Sequence, residues 1–223
     1  MNSQPDEKLC SPSQVKSFYD RLGGWLDTQR FFKTPALARL FEYSDFPGAR
    51  SVYELGCGTG RLAEKIVAGN SELVYQGTDL SSTMVSLAQN RLARFGDRAR
   101  VILTDNAKGL DLPDAAVDRF VSTYVFDLMP ASEILSLLDE AARVVQPEGK
   151  LCLVSLTNST QLFGRILTGM WSFVHQINPV LMGGCRPIEL PEFVDENHWR
   201  VVHLSKAPRF GLTSEVLVAE RLG

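Results

Sequence analysis

Short apolar runs and amphipathic stretches alternate along the middle of the chain. Stretches with helical periodicity are expected to form helices at about 60–69, 82–95 and 131–145. Five apolar runs of strand length are expected to form strands at 51–55, 73–78, 100–103, 118–123 and 150–156. Strands that alternate with helices in this way predict a parallel sheet covered on both faces. The pattern therefore predicts an α/β fold of the doubly wound type.

The two ends of the chain follow other patterns. Residues 13–40 have helical periodicity with a break at Gly23-Gly24, whereas 199–205 and 214–220 read as strands joined by a short loop. A short joint between strands favours an antiparallel pair. Before this pair, residues 162–177 combine a broad apolar face with few charges, which is typical of an amphipathic helix that covers a sheet.

These patterns predict one domain over residues 1–223, because a single core grows comfortably to this size. We expect it to consist of an N-terminal helical cap (1–45), a central core (51–156), an apolar helical insertion (157–198) and a C-terminal strand pair (199–223).

Three glycines at alternate positions follow the first predicted strand, in the segment Ser51-Val-Tyr-Glu-Leu-Gly-Cys-Gly-Thr-Gly-Arg61. Gly56, Gly58 and Gly60 can adopt backbone angles closed to other residues, and they have no Cβ to block a ligand. The helix that follows presents unpaired N–H groups and a positive dipole end at this turn. The segment therefore predicts that a nucleotide-like cofactor lies across the turn from strand to helix.

Two carboxylates indicate which kind of cofactor this is. Asp79 ends the second predicted strand and could accept two hydrogen bonds from ribose hydroxyls, which selects an unphosphorylated 2′ position. Glu54 heads the glycine pattern, and a carboxylate is a poor neighbour for a pyrophosphate but suits an ammonium group. Dinucleotide-binding folds instead have the pattern G-x-G-x-x-G, which this segment lacks.

The pattern from Glu54 to Gly60 resembles motif I of the class I S-adenosylmethionine-dependent methyltransferases. The resemblance extends from about Phe18 to the C-terminus, because Asp79 and the predicted third, fourth and fifth strands occur in the family's order. The nearest subgroup is that of small-molecule enzymes related to ubiquinone and menaquinone biosynthesis. The resemblance implies a seven-stranded, Rossmann-like sheet with an antiparallel C-terminal strand, and S-adenosyl-L-methionine as the cofactor.

The resemblance also implies which residues bind this cofactor. The glycine loop and Glu54 would hold the methionine part, Asp79 the ribose, and Asp105 and Asn106 the adenine. Tyr19 would fold over the cofactor. The full predicted set is Tyr19, Glu54, Gly56, Cys57, Gly58, Gly60, Asp79, Leu80, Asp105, Asn106 and Thr123. Two alternatives stay open: Tyr19 packs on the core as an ordinary helix residue, and Asp105 caps a helix.

Residues for the methyl acceptor are expected at the carboxyl ends of the strands. Tyr124 and Asp127 follow the fourth strand, and Asp127 could accept a proton from the acceptor or, alternatively, cap the next helix as a surface carboxylate. Trp171 and His175, within the apolar insertion, could line an apolar or aromatic acceptor pocket, although His175 could also be an ordinary hydrogen-bonded residue. Arg186 could clamp an anionic group of the acceptor or stabilise a turn.

Composition narrows the function further. A net charge of −3 argues against a nucleic-acid partner. Cys10, Cys57, Cys152 and Cys185 are widely spaced without a C-x-x-C pair, which predicts free thiols, no metal site and a reducing compartment. The first residues lack a signal-peptide pattern, so we expect a cytoplasmic protein, with peripheral membrane contact through the apolar insertion as an open possibility.

The sequence thus predicts an S-adenosylmethionine-dependent methyltransferase that acts on a small acceptor. Two other hypotheses are an NAD-dependent oxidoreductase and a non-catalytic module that binds S-adenosylmethionine. The oxidoreductase would require the G-x-G-x-x-G loop and a hydride-transfer constellation such as Tyr-x-x-x-Lys, and neither is present. The acceptor, the atom methylated and the oligomeric state do not follow from the sequence, because a fold does not fix its substrate.

Overall fold

A mixed sheet of seven strands forms the centre of the molecule in the computed structural model, which describes residues 11–22, 30–104, 110–158 and 185–223. The strands are β1 (Ser51–Leu55), β2 (Val74–Asp79), β3 (Ala99–Leu103), β4 (Val117–Thr123), β5 (Val145–Thr157), β6 (Trp199–Arg209) and β7 (Leu212–Arg221). The helices are α1 (Pro12–Leu22), α2 (Arg30–Ser44), α3 (Arg61–Gly69), α4 (Ser82–Leu92) and α5 (Ala131–Val144).

The strand order is β3-β2-β1-β4-β5-β7-β6. Strands β1 to β5 are parallel to one another. Strand β7 pairs antiparallel with both β5 and β6. The predicted fold class, a mostly parallel seven-stranded sheet with an antiparallel C-terminal strand, is confirmed. The strand order reverses between β1 and β4, and the crevice outside the carboxyl ends of these strands is where doubly wound folds bind ligands.

Both faces of the sheet are covered, as the alternation of strands and helices predicts. Along β5, Cys152 and Val154 belong to a core with residues of α2, α3 and α4, whereas Leu151 and Leu153 belong to a second core with α5. This division follows from the period of two in a strand, which sends successive side chains to opposite faces. The two cores hold β1 and β4 rigidly, and thereby fix the position of the loops at their carboxyl ends.

Three stretches differ from the sequence prediction. Strand β6 continues to Arg209 and β7 begins at Leu212, so most of the loop expected between residues 205 and 214 is strand. Helix α4 ends at Leu92, and a 3₁₀ segment, Ala93–Arg98, continues to Arg98 with Gly96 at a φ of 56°. Strand β5 begins at Val145, directly after α5, and Pro147 and Gly149 lie within it instead of forming a separating loop. The pairing of β5 with β4 shifts register between Val117 and Arg119, which accommodates this turn-rich stretch as a bulge.

Parts of the two ends of the chain lie outside the described residues. The break at Gly23-Gly24 and most of the apolar insertion, including 162–177, belong to these parts, and the predicted division into cap, core, insertion and strand pair stays a prediction. In the described ranges, no helix has the length and apolar character needed to span a membrane.

Candidate functional site

The glycine loop after β1 combines three positive φ angles with two close backbone approaches. The φ angles are 71° at Gly56, 53° at Gly58 and 75° at Gly60, and L side chains rarely adopt such values. A Cβ at Gly56 would lie 2.3 Å from Cγ2 of Val125, and a Cβ at Gly60 would lie 3.0 Å from Cα of Ala88. Two glycines therefore let the loop pack against the β4 loop and against α4.

Gly58 differs from the other two glycines. A Cβ built on it has no atom of the described residues within 4 Å, so this residue faces open space within the described part of the chain. Packing against the described residues does not require glycine at this position. A glycine here permits the positive φ and leaves room above the backbone. A backbone that must leave room for a ligand has this arrangement.

The end of β2 holds this loop in place. The carbonyl oxygen of Thr78 accepts hydrogen bonds from Gly56 N at 2.8 Å and Cys57 N at 2.9 Å. The carboxylate of Asp79 accepts from Gly58 N at 2.8 Å through Oδ2 and from Ser81 N at 2.9 Å through Oδ1. Each carboxylate oxygen has two lone pairs, so both oxygens of Asp79 retain acceptor capacity for a ligand.

Asp79 titrates differently from an exposed aspartate. Burial raises the pKa of its carboxyl; the backbone donors Ser81, Gly58 and Leu80 lower it, and the charge of Asp20 adds to the rise. The half-buried Leu80 follows Asp79 directly and leads into the N-terminus of α4.

Glu54, the carboxylate that heads the glycine pattern, is only 1% exposed. Its Oε2 accepts a hydrogen bond of 2.6 Å from the hydroxyl of Tyr75 on β2. Burial raises the pKa of Glu54 to about 8; the Tyr75 hydrogen bond lowers it, and the nearby Asp79 adds to the rise. The two predicted cofactor carboxylates are therefore close enough to repel each other.

Helix α1 is fastened next to these carboxylates. Oδ1 of Asp20 accepts a hydrogen bond of 2.5 Å from the Ser81 hydroxyl and one of 3.4 Å from Thr83 N. The Ser81 oxygen in turn accepts from Met84 N at 3.2 Å, so Ser81 is the N-cap of α4. One hydroxyl thereby joins α1 to the first turn of α4.

This attachment brings Tyr19 to the crevice. The Tyr19 hydroxyl forms a hydrogen bond with Cys185, and removal from water raises its pKa well above the ordinary value, with further contributions from the charges of Asp127 and Asp79. Tyr19 therefore lies near Asp79, on the predicted cofactor side, and near Asp127, on the predicted acceptor side.

The residues after β4 form the other wall of the crevice. Thr123 ends the strand half-buried, and Tyr124 has a φ of 58°, which is unusual for a bulky residue. The Tyr124 hydroxyl shares a hydrogen bond of 2.8 Å with the Ser214 hydroxyl, and burial raises the pKa of Tyr124. Strained backbone angles of this kind concentrate at binding sites.

Asp127 is fully buried in a 3₁₀ turn, Phe126–Leu128. Its Oδ2 accepts from Leu156 N at 3.3 Å, and the N-cap of α5 is Pro130 without a side-chain bond. The alternative that Asp127 is a surface carboxylate that caps the next helix is therefore wrong.

Arg186 fastens the same turn. Its backbone N donates to the carbonyl oxygen of Asp127 at 2.9 Å, and its Nη2 donates to the carbonyl oxygen of Met129 at 2.8 Å. Arg186 is buried. These bonds fit the turn-stabilising alternative, whereas binding of an anionic acceptor stays a prediction.

The structure brings most of the predicted site residues together. Around the crevice lie Tyr19, Glu54, Gly56, Cys57, Gly58, Gly60, Asp79, Leu80, Thr123, Tyr124, Asp127 and Arg186. Four others, Asp105, Asn106, Trp171 and His175, lie outside the described residues. Sequence reasoning missed Tyr75 as the partner of Glu54 and Asp20 as the anchor of α1. The alternation of Tyr75 and Gly77 on one face of β2 is the sequence signal that could have pointed to the first.

Comparisons with known proteins match part of the sequence and most of the fold. Residues 52–149 match the family model Methyltransf_25, described as a methyltransferase domain. A demethylmenaquinone methyltransferase of Bacillus licheniformis is 27% identical over 128 residues, which are 56% of this chain and 53% of the relative. The chain spans 36%, 5% and 53% of the length of three curated relatives that it matches.

Solved structures match over a larger part of the chain. The [4+2]-cyclase SpnF superposes with a TM-score of 0.74 at 16% identity and covers 96% of this chain and 98% of its own. The N-methyltransferase NodS from Bradyrhizobium japonicum WM9, in complex with S-adenosyl-L-homocysteine, has a TM-score of 0.72 at 13% identity, with 93% and 98% covered. These two likenesses show the fold.

The described fold is thus the Rossmann-like architecture that these methyltransferase structures share. Residues 52–149 match the model of a methyltransferase domain, and the predicted resemblance to small-molecule methyltransferases of the menaquinone group is confirmed.

The buried Glu54 predicts a pH-dependent stability that Glu54→Gln removes. Its pKa is about 8 in the folded protein and about 4.5 in an exposed chain, so folding keeps a proton that the unfolded chain loses as pH rises. The stabilisation is complete below the lower pKa and falls by about 1.4 kcal/mol per pH unit up to the higher one. Between pH 5 and pH 7, the free energy of unfolding in urea should fall by about 2 kcal/mol more for the wild type than for Glu54→Gln. Parallel curves for the two proteins would contradict the prediction; other buried acids contribute equally to both.

The anchoring of α1 predicts a change in proteolysis. Loss of the Asp20–Ser81 bond in Asp20→Ala should weaken the docking of α1 by about 1 kcal/mol, and thus accelerate tryptic cleavage after Lys16 and Arg21 about fivefold. Mass spectrometry of the early fragments measures this rate. Asp111→Ala, at an exposed loop position, is the control and should be cleaved like the wild type. Equal rates for Asp20→Ala and the control would show that the bond does not hold the helix.

Proposed function

We propose that this protein is an S-adenosylmethionine-dependent methyltransferase acting on a small, apolar or aromatic acceptor. The single observation that carries the proposal is the carboxylate-headed glycine loop bonded to Asp79, with Gly58 facing open space at the crevice. Its position within a matched methyltransferase domain supports the same function.

The residues of the crevice fit the donor. The open face of Gly58 leaves room for a ligand next to the backbone, and Asp79 retains acceptor capacity for ribose hydroxyls. Glu54 is a carboxylate suited to the ammonium group of the methionine part. Burial of Glu54 and the nearness of Asp79 favour a cationic ligand, because positive charge relieves the repulsion between the two acids.

When bound, S-adenosylmethionine supplies a methyl group activated by its positive sulfur. The protein then has to align the acceptor and exclude water. Tyr19 on the anchored α1 would cover the crevice, and the strained Tyr124 would line it on the side of β4. Proton removal by Asp127 stays a prediction; its bond to Leu156 N supports an additional structural role.

The predicted acceptor residues Trp171 and His175 lie outside the described residues. The proposal therefore names only the class of the acceptor. We further propose a cytoplasmic setting. The described cysteines Cys57 and Cys152 are free thiols, and a reducing compartment maintains thiols in that form.

A second candidate is a module that binds S-adenosylmethionine without transferring its methyl group. The match to the [4+2]-cyclase SpnF favours keeping this candidate, because that protein shares the fold and is described by a different reaction. The NAD-dependent oxidoreductase hypothesis has no comparable support.

The variant Asp79→Ala tests whether Asp79 binds the cofactor. The quantity measured is its affinity for S-adenosyl-L-homocysteine. Loss of both carboxylate oxygens should weaken binding at least about tenfold in calorimetry, because ribose hydroxyls lose their acceptors.

Asp118→Ala is a matched control for this variant. Asp118 Oδ2 accepts from Arg50 N at 2.7 Å and Ser51 N at 2.9 Å at the amino end of the sheet, so it has the same kind of backbone role away from the crevice. We expect Asp118→Ala to lower the melting temperature and leave the affinity within twofold. An unchanged affinity in Asp79→Ala would contradict the assignment of Asp79.

A transfer assay separates the enzyme from the binding module. The protein is incubated with S-adenosylmethionine labelled at the methyl group and with panels of quinols, phenols, thiols, amines and fatty acids. Label transfer to one panel identifies the acceptor class and supports the proposal. Stabilisation by S-adenosylhomocysteine in a thermal-shift assay without transfer to any panel would favour the module, and stabilisation by NAD instead would overturn both.

A further inference from the structure

Tyr75 and Gly77 lie on the same face of β2, two residues apart, and Gly77 is the register partner of Glu54 on β1. A Cβ at Gly77 would lie 2.5 Å from the Tyr75 hydroxyl oxygen and 3.0 Å from its Cε1. The ring of Tyr75 therefore lies across the bare backbone of Gly77. Any larger residue at 77 would displace it.

The hydroxyl end of the Tyr75 side chain lies next to the carboxyl group of Glu54, which heads the glycine motif. The Tyr75 hydroxyl donates to Oε2 of Glu54 at 2.6 Å, a short hydrogen bond that fixes the position of this oxygen. The same hydroxyl also contacts the thiol of Cys57, which belongs to the glycine loop. Tyr75 is fully buried, so this contact is made from inside the sheet and leaves the mouth of the crevice open.

The surroundings of Glu54 make this hydroxyl important. The neighbours that act on its carboxyl are Tyr75 and Asp79, with the Cys57 thiol close by, and none of them brings a positive charge. Burial and Asp79 both disfavour the carboxylate, so the Tyr75 hydrogen bond is the contribution that favours the ionised form.

We propose that Tyr75 is a positioning residue that orients the carboxyl group of Glu54 and favours its ionisation for the ammonium group of the methyl donor, in the space that Gly77 provides. This inference rests on the proposed function, because it concerns how the same site recognises its donor. Tyr75 acts through Glu54 and does not contact the donor.

The test compares Tyr75→Phe with Tyr53→Phe. Tyr53 is a matched control: it is a buried tyrosine of the neighbouring strand whose hydroxyl shares a 3.0 Å hydrogen bond with Thr78 on the opposite face of the sheet. Both variants lose one buried hydroxyl, and both should lower the melting temperature by similar amounts.

The affinity for S-adenosyl-L-homocysteine is measured by calorimetry from pH 6 to pH 8.5. We expect Tyr75→Phe to bind about tenfold more weakly than the wild type at pH 7, and to reach its strongest binding at a higher pH, because the carboxylate ionises less readily without its donor. Tyr53→Phe should follow the wild-type profile within twofold. Ionisation of the ligand itself is common to all variants and cancels in the comparison.

A double-mutant cycle shows whether Tyr75 acts through Glu54. In the Glu54→Gln background, Tyr75→Phe should change the affinity less than twofold. Gly77→Ala, which displaces the hydroxyl but keeps the tyrosine, should reproduce the upward shift of the profile and serves as a second variant if Tyr75→Phe fails to fold.

The outcomes separate this inference from the proposed function. If the wild type does not bind S-adenosylhomocysteine at any pH, the proposed function fails first. Two results overturn only the role of Tyr75, provided that the wild type binds. In the first, Tyr75→Phe has the same pH profile as Tyr53→Phe. In the second, Tyr75→Phe weakens binding as much in the Glu54→Gln background as in the wild type.

Discussion

The site depends on the hydrogen bonds that the end of β2 makes to the glycine loop. The Thr78 carbonyl and the Asp79 carboxylate together accept from three successive backbone positions, Gly56 to Gly58, and Asp79 also accepts from Ser81. A loop with three positive φ angles has a large conformational entropy when unfolded. These bonds and the close contacts of Gly56 and Gly60 select one conformation, so the crevice is formed before a ligand arrives.

The same bonds concentrate acidic groups in a small volume. The charge of Asp79 raises the pKa of Glu54, and the charge of Asp20 raises the pKa of Asp79. Asp20 lies where α1 meets α4. Such an arrangement is unfavourable in the free protein and becomes favourable when a positive charge enters. The proposed donor carries both an ammonium and a sulfonium group. A pyrophosphate would meet the opposite electrostatics, which is a physical reason for preferring this donor to a dinucleotide.

Local sequence patterns were sufficient for the sheet and for the glycine loop. The apolar runs gave the strands because burial on both faces leaves no other residue types, and the loop was recognisable because its φ angles require glycine. The contacts between distant elements were not predictable in this way. The Tyr75–Glu54 bond depends on the register of two strands, and the Asp20–Ser81 bond joins residues 61 positions apart. The burial of Asp127 was also missed, because a carboxylate between a strand and a helix has the local pattern of a cap whether or not another segment covers it.

The two sides of the crevice are mechanically connected, which constrains how the proposed transfer can work. Tyr19 reaches Cys185 and lies near both Asp79 and Asp127, whereas Asp20, the next residue, is bonded to the first turn of α4. The turn after β4 is in turn fastened to Arg186, directly after Cys185. A shift of α1 would therefore disturb the predicted cofactor side and the predicted acceptor side together. Methyl transfer needs a short, aligned approach with water excluded, so the proposed transfer depends on α1 staying docked against both sides.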